Sequence, residues 1–253
     1  MVPRKARKKS ESGIYHIILR GQNRQIIFED DEDKERFLQT LEDCKRKSEF
    51  KIYGYCLMGN HIHLLLREIK EEVGIIMRRI GASYVYWYNW KYKRCGHLFQ
   101  DRYKSEAVET DAYFLTVLRY IHRNPVKAGL CSQMSDYKWS SYHEYINHTG
   151  ITDTDFALNI FDEDREKAVK TFIRYHYEAK EDHCLDMEES KRLTDEEAKE
   201  IIKKKCGISS SLQLKDFEIE KRNRCIKELK GKGLSTRQIE RLTGLSRSII
   251  LKA

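Results

Sequence analysis

The sequence predicts an α+β fold: a ferredoxin-like core with the element order β-α-β-β-α-β, a helical connector and a C-terminal helix-turn-helix. Three observations predict it. Over the first 125 residues, β-branched and aromatic runs alternate with long stretches of helical periodicity. A Gly59-Asn60 tight-turn signal separates two of those runs. Near the C-terminus, short helical stretches are parted by glycine-containing turns.

Residues 13–20 read as the first strand, and the polar Gly21-Gln22-Asn23-Arg24 loop follows. Residues 31–50 place Phe37, Leu38 and Leu41 at helical spacing, with acidic residues in the first turn where the helix dipole favours them. Residues 51–58 and 61–67 are the two strands of the Gly59-Asn60 hairpin. Residues 72–93 form a long helix carrying Ile76, Ile80, Tyr84, Trp87 and Trp90, and a strand is expected around 98–108. Asp111 then caps a helix that ends near Asn124, because Pro125 would clash with the preceding turn and has no N–H to donate.

Beyond this core, 139–146 reads as a packed segment, and 163–179 and 194–206 as connector helices. Residues 225–230 close a helix and Gly231-Lys232-Gly233 turns. Ser235 caps 236–242, Gly244 turns again, and Ser246 caps a short final helix. Arg237 and Arg247 stand at the starts of those last two helices, the pattern of a DNA-binding helix-turn-helix. A small helical bundle for protein contacts is the alternative. The implied division is a core domain over 1–150, a partly acidic connector over 151–214 and a basic segment over 215–253.

Charge supports that division. The net charge is +8 and 35% of residues are charged, which favours an acidic partner such as nucleic acid. Residues 181–200 hold nine acidic and three basic side chains, whereas 221–253 hold ten basic and two acidic. The first nine residues include five basic ones, a tail that attracts phosphates. There is no membrane-length apolar run and no signal-peptide core, so a cytoplasmic protein is expected. The seven cysteines stand singly, which argues against a disulfide framework or a zinc module.

Two patterns carry chemistry. His61-Ile62-His63 lies on a strand, so both imidazoles share a face and can meet one ion. Alone this is weak, because paired strand histidines more often face solvent. Tyr120 and Asn124 are four apart on a helix, hence a turn apart on one face. That spacing also fits a packed tyrosine and an asparagine that closes the helix. Among the alternatives, Tyr113 has no amide four residues on, and His122 faces away from the Tyr120 side. The tyrosine- and tryptophan-rich run 84–92 fits packing on the sheet better than stacking on bases.

Taken together, four segments resemble the REP-associated tyrosine transposases of the single-tyrosine HUH nuclease superfamily. They are Tyr15-His16-Ile17-Ile18-Leu19-Arg20-Gly21-Gln22-Asn23-Arg24, Gly59-Asn60-His61-Ile62-His63-Leu64-Leu65, Gly96-His97-Leu98-Phe99-Gln100-Asp101-Arg102-Tyr103, and Arg119-Tyr120 through Asn124-Pro125-Val126-Lys127-Ala128-Gly129-Leu130. They stand in family order across about residues 13–145. The resemblance implies that His61 and His63 are the paired metal ligands, Tyr120 the nucleophile and Asn124 the third, amide ligand. It implies a divalent metal, Mg or Mn, and single-stranded or hairpin DNA as partner, with no membrane and no small-molecule substrate. A homodimer stays open.

The implied reaction is nicking and strand transfer through a 5′-phosphotyrosine. A free phenol, with a pKa of ~10, is a poor nucleophile at neutral pH, so the metal would bind and polarise the scissile phosphate. Because the phosphodiester energy is kept in the tyrosyl bond, rejoining needs no ATP. Arg20, Asn23, Arg24 and Arg102 are expected DNA contacts, as are Arg237 and Arg247. The alternative from another class is a catalytically silent, sequence-specific DNA-binding regulator derived from such a transposase.

Overall fold

The computed structural model describes residues 8–178, 180, 182–186 and 195–252. The basic tail up to residue 7 and part of the acidic stretch, both singled out above, lie outside the described residues. The chain divides into two compact units at 187/188.

The first unit is mixed α+β. In order it contains β1 (Ile14–Arg20), α1 (Asp31–Ser48), β2 (Lys51–Leu57), β3 (His61–Arg67), α2 (Val73–Lys91), β4 (Lys104–Ala107) and α3 (Asp111–Lys127). The short helices α4 (Tyr142–Asn147) and α5 (Asp155–Phe161) and the longer α6 (Arg165–Tyr177) follow. The four strands form one sheet in the order β2-β3-β1-β4, and each neighbouring pair is antiparallel.

Strand alternation sends side chains to both faces, and helices cover both. Tyr15, Ile17 and Leu19 of β1 pack with Phe37 and Leu41 of α1 and Ile76 and Ile80 of α2. Ile14, one register step away, packs instead with Phe114, Val117, Leu118 and Ile121 of α3. Double coverage is why β2 and β3 read as nearly unbroken apolar runs. Gly54 marks the closest approach of α3 to the sheet. A Cβ there would lie 2.8 Å from Leu118 Cδ1, so a larger residue would push the helix away.

Three expectations need correction. The strand expected around 98–108 is confined to 104–107. Asp101 adopts a left-handed φ of +57°, and the preceding segment instead crosses the end of β1, with Gln100 N–H donating to Arg20 O at 2.7 Å and Gln22 N–H to Leu98 O at 2.8 Å. The cap of α3 is Thr110, whose hydroxyl accepts from Tyr113 N–H, and Asp111 is the first-turn acid. Finally, α3 does not stop at Asn124. Pro125 lies inside it, close enough to the end that its missing N–H deprives one carbonyl, while Ala128 N–H to Asn124 O and Leu130 N–H to Pro125 O, both 2.9 Å, close the last turn.

Behind α3 lies a buried chain of hydrogen bonds whose directions are fixed. His176 Nδ1 donates to Phe172 O (2.9 Å), so its Nε2 accepts from His122 Nδ1 (3.0 Å). His122 Nε2 therefore accepts from Ser141 Oγ (2.7 Å), whose oxygen accepts from Tyr55 N–H (2.9 Å). This chain ties α6, α3 and β2 together with both imidazoles neutral.

The second unit is helical: α7 (Asp195–Cys206), α8 (Ile219–Gly231), α9 (Thr236–Thr243) and α10 (Arg247–Lys252). Ile202, Leu214, Ile226, Leu229, Ile239 and Ile250 form its core. Ser235 caps α9 by accepting from Gln238 N–H at 3.1 Å, and Gly244 ends it at φ +66°. Arg237 and Arg247 are exposed. All seven cysteines are free, and among the described residues no helix is long and apolar enough to cross a membrane.

Burial pushes His176 down to about 3, and burial with the adjacent His176 holds His122 well below the usual imidazole range. Both pKa values are depressed on folding, so their contribution is complete above the unfolded value of ~6.5 and is lost as pH falls below it. We expect unfolding free energy from urea melts to drop by about 1.4 kcal/mol per pH unit for each buried histidine between pH 6.5 and 5. A His176→Phe variant should have a shallower slope over the same interval.

Candidate active site

β3 carries His61 and His63 two residues apart, so both rings project to one face while Ile62 enters the core beneath α1 and α2. The ring centroids are 5.0 Å apart. On the same face α3 presents Tyr120, whose ring lies 5.7 Å from that of His63 and 5.9 Å from that of His16 on β1. Asn124, one turn on, donates its amide N–H to Tyr120 O at 2.9 Å. The nucleophile and ligands expected from the sequence therefore converge.

Hydrogen bonds set the ring nitrogens. His61 Nδ1 donates to Asn60 Oδ1 at 2.7 Å, and Asn60 Nδ2 in turn donates to Arg24 O at 3.4 Å. That leaves His61 Nε2 with its lone pair. His63 Nδ1 meets His16 Nε2 at 3.1 Å, and His63 Nε2 is buried without a hydrogen-bond partner among the described residues. A buried, unbonded imidazole nitrogen is costly unless an ion or ligand takes its lone pair. Outer partners that hold the far nitrogen of each imidazole are the usual support of a metal-binding histidine pair.

Among the described residues no group of three or more His, Cys, Asp or Glu side chains could hold a metal ion. The expected set contains only two residues of those types, with an amide oxygen as its third donor. Two neutral lone pairs with fixed outer partners and an amide a turn from the nucleophile fit a divalent cation that keeps open positions for substrate.

The electrostatics are those of a buried site. Burial lowers His16 to about 3 and, together with the charge of Arg20 and against that of Asp186, lowers His61 to about 4. Burial, then His16 and His61, hold His63 well below its ordinary value. The Tyr120 hydroxyl is pushed well above the ordinary phenol range by burial first, then by its hydrogen bond to Asp186 and by that carboxylate's charge, with Asn124 opposing. Lys127 Nζ lies 4.6 Å from the Tyr120 ring centroid.

The expected DNA contacts fall in different places. Arg20 pairs in register with His61 at the site edge. Asn23 and Arg24 sit on the turn after β1, both with positive φ, next to the Asn60 support. Arg102 instead lines a groove with Leu19, Gly81 and Phe99, and Leu19 points to the opposite face of β1 from His16. Arg237 and Arg247 belong to the second unit. On α2, Tyr84 and Tyr88 are buried as expected, whereas Tyr86 and Trp90 are exposed.

Two site residues carried no assignment from the sequence. His16 shares strand parity with Arg20, and β1 pairs with β3, so its position could have been read from the first motif once the sheet order was known. Asp186 lies far along the chain in an irregular segment and left no periodic signal.

Residues 9–124 match the model of the family described as "Transposase IS200 like". A REP-associated tyrosine transposase of Escherichia coli (strain K12) is 25% identical over 122 residues, covering 47% of this chain and 69% of that protein. A solved structure of a REP-associated tyrosine transposase bound to a REP hairpin is similar with a TM-score of 0.52 at 18% identity, covering 61% of this chain and 96% of the other. The resemblance drawn from the four motifs is thereby borne out, as is the enzyme class, since the family and these relatives are DNA-cleaving tyrosine transposases. The mixed α+β architecture is shared with the solved structure. His16, His61, His63, Tyr120 and Asn124 all fall within the matched residues.

Replacing His16 by Phe keeps the ring volume but removes the acceptor for His63 Nδ1–H. The expected result is a 10- to 100-fold loss in divalent-metal affinity, on the order found for outer partners of metal ligands, read by calorimetric titration with Mn²⁺.

Proposed function

We propose that the chain is a metal-dependent transposase that nicks and joins single-stranded DNA beside hairpin-forming repeats through a 5′-phosphotyrosine at Tyr120. The observation that carries this reading is the meeting of Tyr120 with the unbonded Nε2 of buried His63. In this reading His61, His63 and Asn124 hold the divalent cation, Mg or Mn. The cation supplies a Lewis acid that polarises the scissile phosphate. Tyr120, held by α3 against the histidine pair, is directed at that phosphate. Arg20, Asn23 and Arg24 border the same face and favour phosphate approach.

The strand order β2-β3-β1-β4 around a β-α-β-β-α-β chain supports a ferredoxin-like core. The capped pair α9 and α10, with exposed Arg237 and Arg247, supports a helix-turn-helix over 215–253 that docks duplex DNA. Residues 1–150 would then cut, 151–214 connect and 215–253 recruit. Hairpin DNA as substrate draws on the relative solved with a REP hairpin. A cytoplasmic site of action follows from the same reading.

Incubation with single-stranded hairpin DNA and Mn²⁺ is expected to give a covalent adduct that survives denaturation. Tyr120→Phe should abolish it and His61→Ala should reduce it at least 100-fold, in line with the loss of a catalytic metal contact. An undiminished adduct in Tyr120→Phe would remove the nucleophile assignment. Separately, a double Arg237→Glu, Arg247→Glu variant should weaken binding to flanking duplex at 150 mM salt by roughly tenfold, given one lost phosphate contact each and two added repulsions. Its adduct rate on short single strands should be unchanged.

A further inference from the structure

After α6 the chain returns along α3, fastened at several points. Arg119, beside Tyr120 and nearly fully buried, grips Asp182 through both guanidinium branches, Nε at 2.9 Å and Nη2 at 2.5 Å. Its Nη1 also donates to Tyr175 O at 3.2 Å. Arg123, one turn on, donates to Glu178 O at 3.2 Å and Lys180 O at 3.0 Å. Leu185 N–H donates to Glu106 of β4 at 2.9 Å, and the same carboxylate oxygen accepts from Tyr113 Oη at 2.6 Å. The next residue is Asp186. Its carboxylate accepts the Tyr120 hydroxyl and acts electrostatically on His61.

A phenol that attacks phosphorus must lose its proton, and the groups around this hydroxyl differ sharply in capacity. His61 and His63 offer lone pairs that the metal reading reserves. Asn124 and Lys127 accept no proton. Asp186 is anionic, exposed to solvent and already hydrogen-bonded to the reacting oxygen. We propose that Asp186 is a further catalytic residue, the general base that takes the Tyr120 proton as the tyrosyl–phosphate bond forms; this rests on the transposase reading above.

The step balances as follows. The Tyr120 Oη–P bond forms while the P–O3′ bond breaks. The electron pair leaves with O3′, which takes a proton from solvent water, and the Oη proton passes to the Asp186 carboxylate. A carboxylic acid is stronger than a free phenol by about six pKa units, so the hydroxyl keeps its proton at rest. Transfer becomes favourable only as Oη bonds to phosphorus and its O–H turns acidic. In rejoining, the same carboxylic acid returns the proton to the departing tyrosyl oxygen. The strap therefore gives one group both duties.

The test compares adduct formation by wild type, Asp186→Asn and Asp186→Ala on single-stranded hairpin DNA with Mn²⁺. Asp186→Asn preserves an acceptor for the hydroxyl but takes no proton, and a slowing on the order of 100-fold is expected. Hairpin affinity and Mn²⁺ affinity should stay within about threefold of wild type, a margin below the tenfold loss of a supporting contact. Formate added to Asp186→Ala should restore the rate in proportion to its concentration, which a merely structural residue would not allow. Wild-type rates in both variants overturn the proposal. So do faster rates, which would make the carboxylate an obstruction, and a slow Asp186→Ala unresponsive to formate. If wild type itself forms no adduct, it is the transposase reading that fails.

Discussion

The site depends on the burial of neutral imidazoles. An imidazole away from water must stay uncharged, and then it has one N–H to donate and one lone pair to offer. Each nitrogen that finds a partner therefore dictates the state of the other. Asn60 fixes His61, and His16 meets His63, so that Nε2 of each ligand faces the site. Behind α3, Phe172, His176, His122, Ser141 and Tyr55 form a chain with a single consistent direction. One set orients the ligands and the other anchors the helix bearing the nucleophile. Neither tolerates a proton more or a proton fewer.

Much of this frame was legible in the sequence because its signals are local. Apolar alternation and the Gly59-Asn60 turn give the β2-β3 hairpin, and helical spacing gives α1 and α2. His61 and His63 follow from strand parity, and Tyr120 with Asn124 from the pitch of a helix. What local rules missed has physical causes. Pro125 was read as a stop, but near a C-terminus it forfeits one hydrogen bond that later caps offset. Residues 98–103 have strand-forming side chains yet turn, because the backbone groups of Gln22 and Arg20 at the end of β1 claim theirs.

The rest was illegible because it is long-range. His16 gains its role only when β1 pairs with β3. His122 faces away from Tyr120, as its helical position requires, but what it faces is His176, 54 residues later. Asp186 is more remote still in kind: it lies in a segment without periodicity, held by the side chains of Arg119 and Glu106. No window of sequence contains that arrangement.

The placement of these groups also bears on why the chemistry can run in both directions. Ligands on β3, nucleophile on α3 and a carboxylate on the returning strap come from three elements, each fastened by contacts outside the site. Arg119 is the clearest case, since it stands next to Tyr120 yet spends its charge on Asp182. A guanidinium aimed at the phosphate would stabilise the bound anion in every state alike and accelerate nothing. Aimed backwards, it holds the strap so that proton transfer and bond formation meet at one oxygen. Preorganisation of that kind serves cutting and rejoining equally, because it favours the shared transition state over either covalent partner.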